Sequence, residues 1–171
     1  VIVCDDSDIE TAVRLLVPYK FRNAGQVCVS PTRFFVQEGA YDRFVAEFVS
    51  KTKSLIVGNG LLPDTNVGPL AQHRRVEAMR YFVDDAKNRG ATVLTGGEPI
   101  AGVGNFFAPT VITDLPDDAH LMRQEPFGPV LGIVRFKTLV SRNSSLYFPG
   151  ASGSTPSTPK ERSRYRAISA S

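Results

Sequence analysis

The chain has 171 residues, 42% hydrophobic and 22% charged, which is typical of one soluble globular domain of ordinary size. No apolar run reaches the ~18 to 20 residues of a membrane-spanning helix, and no basic and apolar leader opens the chain, so we expect a cytoplasmic protein without membrane segments. Residues 140–171 carry 5 Lys+Arg and 1 Asp+Glu, which leaves 20 − 5 = 15 and 17 − 1 = 16 in residues 1–139, so the body has no basic footprint for nucleic acid.

Strands and helices alternate in the first third of the chain. The apolar run Val1–Cys4 predicts a strand, and Ser7 with Glu10 three residues later is a capping-box pattern that predicts the start of a helix. The β-branched and aromatic run Thr32–Gln37 predicts a second strand. Apolar residues then recur with helical spacing over Tyr41–Val49, which predicts a second, amphipathic helix.

The alternation continues after a loop rich in Gly, Pro, Asn and Asp at Gly58–Pro69. Helical spacing returns over Val76–Ala86, and Gly90 follows where a helix ends. Three more strands are predicted, at Ala91–Thr95, Phe106–Asp114 and Gly128–Phe136. Helices and strands in this order indicate an α/β domain with a largely parallel sheet.

The composition changes near Val140, because 9 of the last 32 residues are Ser and no apolar period continues. We therefore predict a domain over 1–139 and a disordered tail over 140–171. One hypothesis is that the tail is out-of-frame translation, which the gene read in all three frames would test. A functional disordered tail is the alternative. The opening strand, with no starting Met, leads us to expect that the chain begins inside a domain.

Two cysteines are too few for a disulfide framework and lack the spacing of a metal site, so both are expected to be free thiols. Cys28 lies between a predicted helix and a strand, where a loop can present it to a ligand. The alternative is a packed structural cysteine, the common fate of a free thiol. Gly25 ahead of it permits an unusual turn or a close backbone approach. Cys4 is expected to be packed in its strand.

A second candidate site is the turn Glu125–Val130, in which two prolines and a glycine precede a buried strand. One interpretation is a Pro/Gly turn with a core Phe127 and a solvated Glu125. The other is functional, because a carboxylate accepts hydrogen bonds from ribose hydroxyls and an aromatic face packs on a flat ring. The two histidines, His73 and His120, fall in no catalytic pattern and are expected at the surface.

Together these two segments resemble the aldehyde dehydrogenase family. Phe21, Asn23, Gly25, Gln26 and Cys28 resemble its cysteine signature, and Glu125, Phe127, Gly128 and Pro129 resemble its later cofactor-binding signature. Their separation, 125 − 28 = 97, fits the family. Further landmarks stand in order between them, at 67–70, 90–97 and 108–111. The resemblance covers about residues 1–139 and implies part of the family's catalytic, cysteine-bearing domain.

The resemblance implies that Cys28 attacks an aldehyde carbonyl, that a thiohemiacetal loses hydride to nicotinamide, and that the thioester left behind is hydrolysed. By the same resemblance, the backbone N–H of Cys28 contributes to the oxyanion hole, Glu125 holds the nicotinamide ribose, and Phe127 packs near the nicotinamide ring. The implied cofactor is NAD or NADP, a choice made in a segment upstream of Val1. Residues Val27–Phe34 are similar to succinate-semialdehyde dehydrogenases, which suggests succinate semialdehyde as the aldehyde.

The resemblance also implies parts that this sequence is not expected to contain. The dinucleotide-binding domain, the general-base Glu and the oxyanion-hole Asn would precede Val1, and the segments through which the family forms homo-oligomers would be absent or replaced. Two hypotheses follow: an oxidoreductase acting at Cys28, or a catalytically inert fragment that at most binds another chain. No metal is implied by either.

Overall fold

The computed structural model describes residues 1–138, in which helices pack on a five-stranded sheet. The strands are β1 (Ile2–Val3), β2 (Arg33–Gln37), β3 (Thr92–Thr95), β4 (Thr110–Thr113) and β5 (Val130–Phe136). The helices are α1 (Ile9–Phe21), α2 (Glu38–Lys53), α3 (His73–Asn88) and α4 (His120–Arg123), and a 3-10 segment, Arg22–Gly25, follows α1. The predicted tail over 140–171 lies outside the described residues. Among the helices within 1–138, none is long and apolar enough to cross a membrane.

The sheet is mixed and mostly parallel, with the strand order β1-β2-β5-β4-β3. β1 with β2, β2 with β5, and β5 with β4 pair in parallel, whereas the edge strand β3 runs antiparallel to β4. Val130, Leu131 and Ile133 of the central strand are fully buried, as expected for a strand covered on both faces. The predicted α/β class with a largely parallel sheet is confirmed.

Helix α2 covers β2 through a cluster of aromatic side chains. The ring centroid of Phe34 lies 5.2 Å from that of Phe48 and 6.3 Å from that of Phe44, and all three residues are fully buried. Phe44 and Phe48 are four residues apart and so share one helix face. The apolar spacing from which this helix was predicted is therefore the face that packs on the sheet.

Two local predictions were wrong. Ser7 does not cap α1: its Oγ accepts a hydrogen bond from the backbone N–H of Cys4, and the Oδ1 of Asp8 caps the helix by accepting from Thr11 N–H at 3.1 Å. The carboxylate is placed one residue later, next to the free N–H groups of the first turn. The run Phe106–Asp114 is not one strand: β4 covers Thr110–Thr113, and Phe107 makes an isolated antiparallel bridge with Pro99. Pro109 lies between the two and has no N–H to donate.

The two candidate segments enter the sheet side by side. The loop that carries Cys28 leads into β2, and the Glu125–Pro129 turn leads into β5. β2 and β5 are parallel neighbours, with Arg33 paired to Gly132. Because parallel strands start at the same edge of a sheet, this pairing brings together two segments that are 97 residues apart (125 − 28).

Candidate active site

Cys28 lies in a turn between the 3-10 segment and β2, and its side chain is exposed as a free thiol. The predicted loop position is confirmed, and the alternative of a packed structural cysteine is wrong. An exposed thiol is open to an electrophile, which a buried one is not.

The backbone ahead of Cys28 makes an unusual left-handed turn. Three consecutive residues have positive φ: Asn23 at 51°, Ala24 at 52° and Gly25 at 72°. Such a conformation costs ~1–2 kcal/mol for a residue with a Cβ, and it persists where the surroundings enforce it. Helical propensity and apolar spacing give no sign of this turn, so only its glycine was anticipated from the sequence.

Gln26 fixes this turn to the loop in front of α3. Its Oε1 accepts a hydrogen bond from Ala71 N–H at 2.9 Å, and its Nε2 donates to Asn23 O at 3.1 Å and Pro69 O at 3.5 Å. The side chain of Asn23 in turn donates to Gln26 O at 3.2 Å. Two residues of the cysteine motif thus hold the shape of the loop from which Cys28 projects.

The turn before β5 exposes both of its candidate side chains. Glu125 is exposed and Phe127 is 37% exposed, so the alternative of a core phenylalanine is wrong. Phe127 has a φ of 44°, which is uncommon for a bulky residue. Arg75 of α3 donates hydrogen bonds to the carbonyls of Pro126 and Phe127 and so braces the turn. An aromatic face and a carboxylate are therefore presented to solvent on a constrained backbone.

The two segments meet backbone to backbone at two glycines. A Cβ on Gly25 would lie 2.2 Å from the carbonyl oxygen of Gly128, closer than real Cβ atoms come. A Cβ on Gly128 would lie 2.2 Å from the sulfur of the buried Met79. The close backbone approach predicted from Gly25 is confirmed, and its partner is the second candidate segment.

Lys20 also joins the two segments, although it belongs to neither of the sequence motifs. Its side chain is fully buried, with Nζ 3.1 Å from Gly128 O and 3.4 Å from the Oγ of Ser30. Burial lowers the pKa of this ammonium group from 10.5 to about 7. The helical spacing could have indicated its burial, because Lys20 lies next to Phe21 and three residues after Val17 on the apolar face of α1.

The remaining candidates lie outside these two loops. Cys4 is partly buried, and burial followed by the charges of Asp6 and Asp5 raises the pKa of its thiol. His73 is exposed, as predicted. His120 is not a simple surface residue, since its ring stacks on Tyr81 with centroids 4.8 Å apart and its Nδ1 is buried.

Comparison with known proteins gives one consistent family. The model of the aldehyde dehydrogenase family matches residues 1–142. A mitochondrial succinate-semialdehyde dehydrogenase of Oryza sativa is 42% identical over 137 residues, which are 80% of this chain and 26% of the relative. A putative 4-(hydroxymethyl)benzenesulfonate dehydrogenase, TsaD2, of Comamonas testosteroni is 45% identical over 139 residues, 81% of this chain and 29% of the relative.

A solved structure agrees with these two relatives. The crystal structure of an NADP-dependent enzyme of Escherichia coli superposes with a TM-score of 0.81 at 38% identity, covering 84% of this chain and 30% of that one. The chain therefore spans between a quarter and a third of the length of these three proteins.

Proposed function

This chain belongs to the aldehyde dehydrogenase family, and from that premise we propose that the protein oxidises an aldehyde to a carboxylate with NAD(P)+, with Cys28 as the nucleophile. The observation that carries the proposal is the contact between the Cys28 loop and the Glu125–Pro129 turn. A reactive thiol and a cofactor-holding turn have to be neighbours for hydride transfer, and Gly25 and Gly128 touch. Residues 1–139 would form part of the catalytic domain, a boundary close to the matched range.

The proposed chemistry begins at the Cys28 sulfur. The thiolate attacks the aldehyde carbon, a C–S bond forms, and the carbonyl electrons move to oxygen, which gives a thiohemiacetal. The thiohemiacetal carbon would release a hydride, and a bound nicotinamide would supply the acceptor for it. The carbon is then at the oxidation level of a thioester, and water cleaves the C–S bond to give the carboxylate and the free thiol. Splitting the oxidation into two steps suits a sulfur nucleophile.

The proposed cofactor contacts come from the second segment. Phe127 offers an exposed aromatic face and Glu125 an exposed carboxylate, and Arg75 and Pro126 constrain the backbone between them. A carboxylate accepts hydrogen bonds from the two hydroxyls of a ribose, and an aromatic side chain packs against a flat ring. These residue types fit a nicotinamide riboside, which supports the assignment of Glu125 to the ribose and Phe127 to the ring.

For the substrate, we propose an aldehyde that carries an acidic group, with succinate semialdehyde as the first choice. The names of the two relatives specify a semialdehyde of succinate and a benzenesulfonate, and both carry a group that is anionic at neutral pH. The similarity of Val27–Phe34 to semialdehyde dehydrogenases agrees. A cytoplasmic location and a homo-oligomeric assembly stay predictions.

The alternative is a catalytically inert protein that at most binds another chain. One observation favours it: within residues 1–138, no histidine or carboxylate hydrogen-bonds the Cys28 thiol, so no base for it is assigned there.

An assay of NADH and NADPH formation separates the two hypotheses. The purified protein would be given succinate semialdehyde or butanal, a neutral aldehyde of equal carbon number, with a Cys28→Ala variant as control. We expect turnover that is lost in the variant and a higher kcat/KM for succinate semialdehyde. Turnover that persists in Cys28→Ala would contradict the role of the thiol. No turnover with either aldehyde would support the alternative.

A further inference from the structure

Lys20 is a buried amine whose two hydrogen-bond acceptors are uncharged. Its Nζ donates to Gly128 O at 3.1 Å and to Ser30 Oγ at 3.4 Å, and Ser30 Oγ itself donates to Lys20 O at 3.0 Å. The side chain has no exposed surface. Neither acceptor carries a charge that would offset the removal of the ammonium group from water.

Stability alone does not account for a lysine at this position. Burial lowers the pKa of Lys20 to about 7, so the fold disfavours the charged form. Val13, Val17 and Phe21 of the same helix are buried, and an apolar side chain would join them without the desolvation cost. A residue that breaks the local rule of burial in this way is expected to have a functional reason.

The two acceptors of Lys20 lie in the two candidate segments. Ser30 is two residues after Cys28, in the loop that leads to β2. Gly128 directly follows Phe127, in the turn that leads to β5. Other contacts hold each segment separately: Gln26 binds the first to Ala71, and Arg75 braces the second. Within residues 1–138, Lys20 is a side chain that hydrogen-bonds to both segments.

We propose that Lys20 is a positioning residue that sets the Cys28 loop against the Glu125–Pro129 turn and so aligns the nucleophile with the bound cofactor. This inference rests on the proposed function. Lys20 touches neither substrate nor cofactor in this proposal, because its amine is used up on the backbone of one segment and the hydroxyl of the other. Hydride transfer is sensitive to displacements of this size, since the donor carbon and the acceptor ring must approach closely.

The test compares Lys20→Met with Lys53→Met. Lys20→Met keeps an unbranched side chain, one heavy atom shorter, and removes its donors, and Lys53→Met removes an exposed lysine of α2. Deuterium uptake of peptides covering residues 26–32 and 124–130 reports on the two segments without requiring activity. KM for NAD(P)+ and kcat report on alignment, and urea unfolding reports on the fold.

We expect Lys20→Met to unfold cooperatively at the same urea concentration as the unchanged protein or a higher one. Its deuterium uptake should rise at least about twofold in both segments but not in α3. KM for NAD(P)+ should rise about tenfold with a lower kcat, the effect of losing a buried hydrogen bond. Lys53→Met should change none of these. If Lys20 were purely structural, Lys20→Met would have a lower unfolding midpoint and higher deuterium uptake throughout, which would overturn the proposal. Unchanged uptake and unchanged KM would also overturn it.

Ser30→Ala provides a second test should Lys20→Met fail to fold. It removes both hydrogen bonds between the Ser30 hydroxyl and Lys20 and leaves the one from Lys20 to Gly128. We therefore expect higher uptake in 26–32 alone and a lower kcat with KM for NAD(P)+ unchanged. Equal deuterium uptake over residues 26–32 in Ser30→Ala and in the unchanged protein would overturn the proposal. If the unchanged protein oxidises no aldehyde while Lys20→Met still loosens both segments, the proposed function fails and only the mechanical link between the segments stands.

Discussion

Gly25→Ala tests whether the two candidate segments are held at contact distance. At φ +72° an alanine costs ~1–2 kcal/mol. Its Cβ would lie 2.2 Å from Gly128 O, whereas carbon and oxygen usually approach only to ~3.3 Å, so one backbone must move by about 1 Å. Overpacking of this kind costs a further ~1–3 kcal/mol. We therefore expect the free energy of unfolding to fall by about 2–5 kcal/mol.

Gly90→Ala is the matched control for this prediction. Gly90 has a φ of +85°, and a Cβ there would meet nothing within 4 Å, so this variant carries only the conformational cost of ~1–2 kcal/mol. Urea unfolding of both variants gives the difference, which measures the collision with Gly128. The rate of Cys28 alkylation by iodoacetamide should change in Gly25→Ala only. The contact would be refuted if the free energies of unfolding of the two variants differed by less than about 0.5 kcal/mol and their alkylation rates were equal.

Three further predictions follow from the same region of the molecule. Lys20 has a pKa of about 7 in the folded protein and an ordinary value of 10.5, so between these pH values the unfolded state binds more protons and the free energy of unfolding rises with pH, by up to about 1.4 kcal/mol per unit. Lys20→Met should lack this slope. If the free energies of unfolding of both proteins, measured with urea, changed in parallel from about pH 6 to about pH 10, the burial of a titrating amine would be contradicted. Gly128→Ala should destabilise by ~1–3 kcal/mol through its collision with Met79, and by less in a Met79→Ala background, which a double-mutant cycle from urea unfolding measures. Additive costs would show that Met79 moves aside freely. One equivalent of iodoacetamide should modify Cys28 before Cys4, because Cys4 is partly buried and its thiol pKa is raised. Peptide mass spectrometry distinguishes the two sites, and preferential labelling of Cys4 would show that the exposure of Cys28 is wrong.

Local sequence patterns predicted the helices whose apolar residues recur along one face. The helical spacing over Tyr41–Val49 and Val76–Ala86 predicted α2 and α3, because each helix buries the face on which its apolar side chains recur. It was a poor guide at element ends. Ser7 and Asp8 are both residue types that cap helices well. Which of them caps α1 depends on the conformation of the chain between β1 and α1.

The sequence by itself determined the α/β class, the family resemblance and the three candidate side chains, since motifs and periodicity are properties of neighbouring residues. Tertiary structure decided which segments meet. The parallel pairing of β2 with β5 places the Cys28 loop beside the Glu125–Pro129 turn, and no local pattern encodes a pairing between strands so far apart in the chain. The role of Lys20 also depends on this pairing. A lysine on an apolar helix face can link two loops only when the fold places an acceptor from each loop next to its amine, as Ser30 and Gly128 are here.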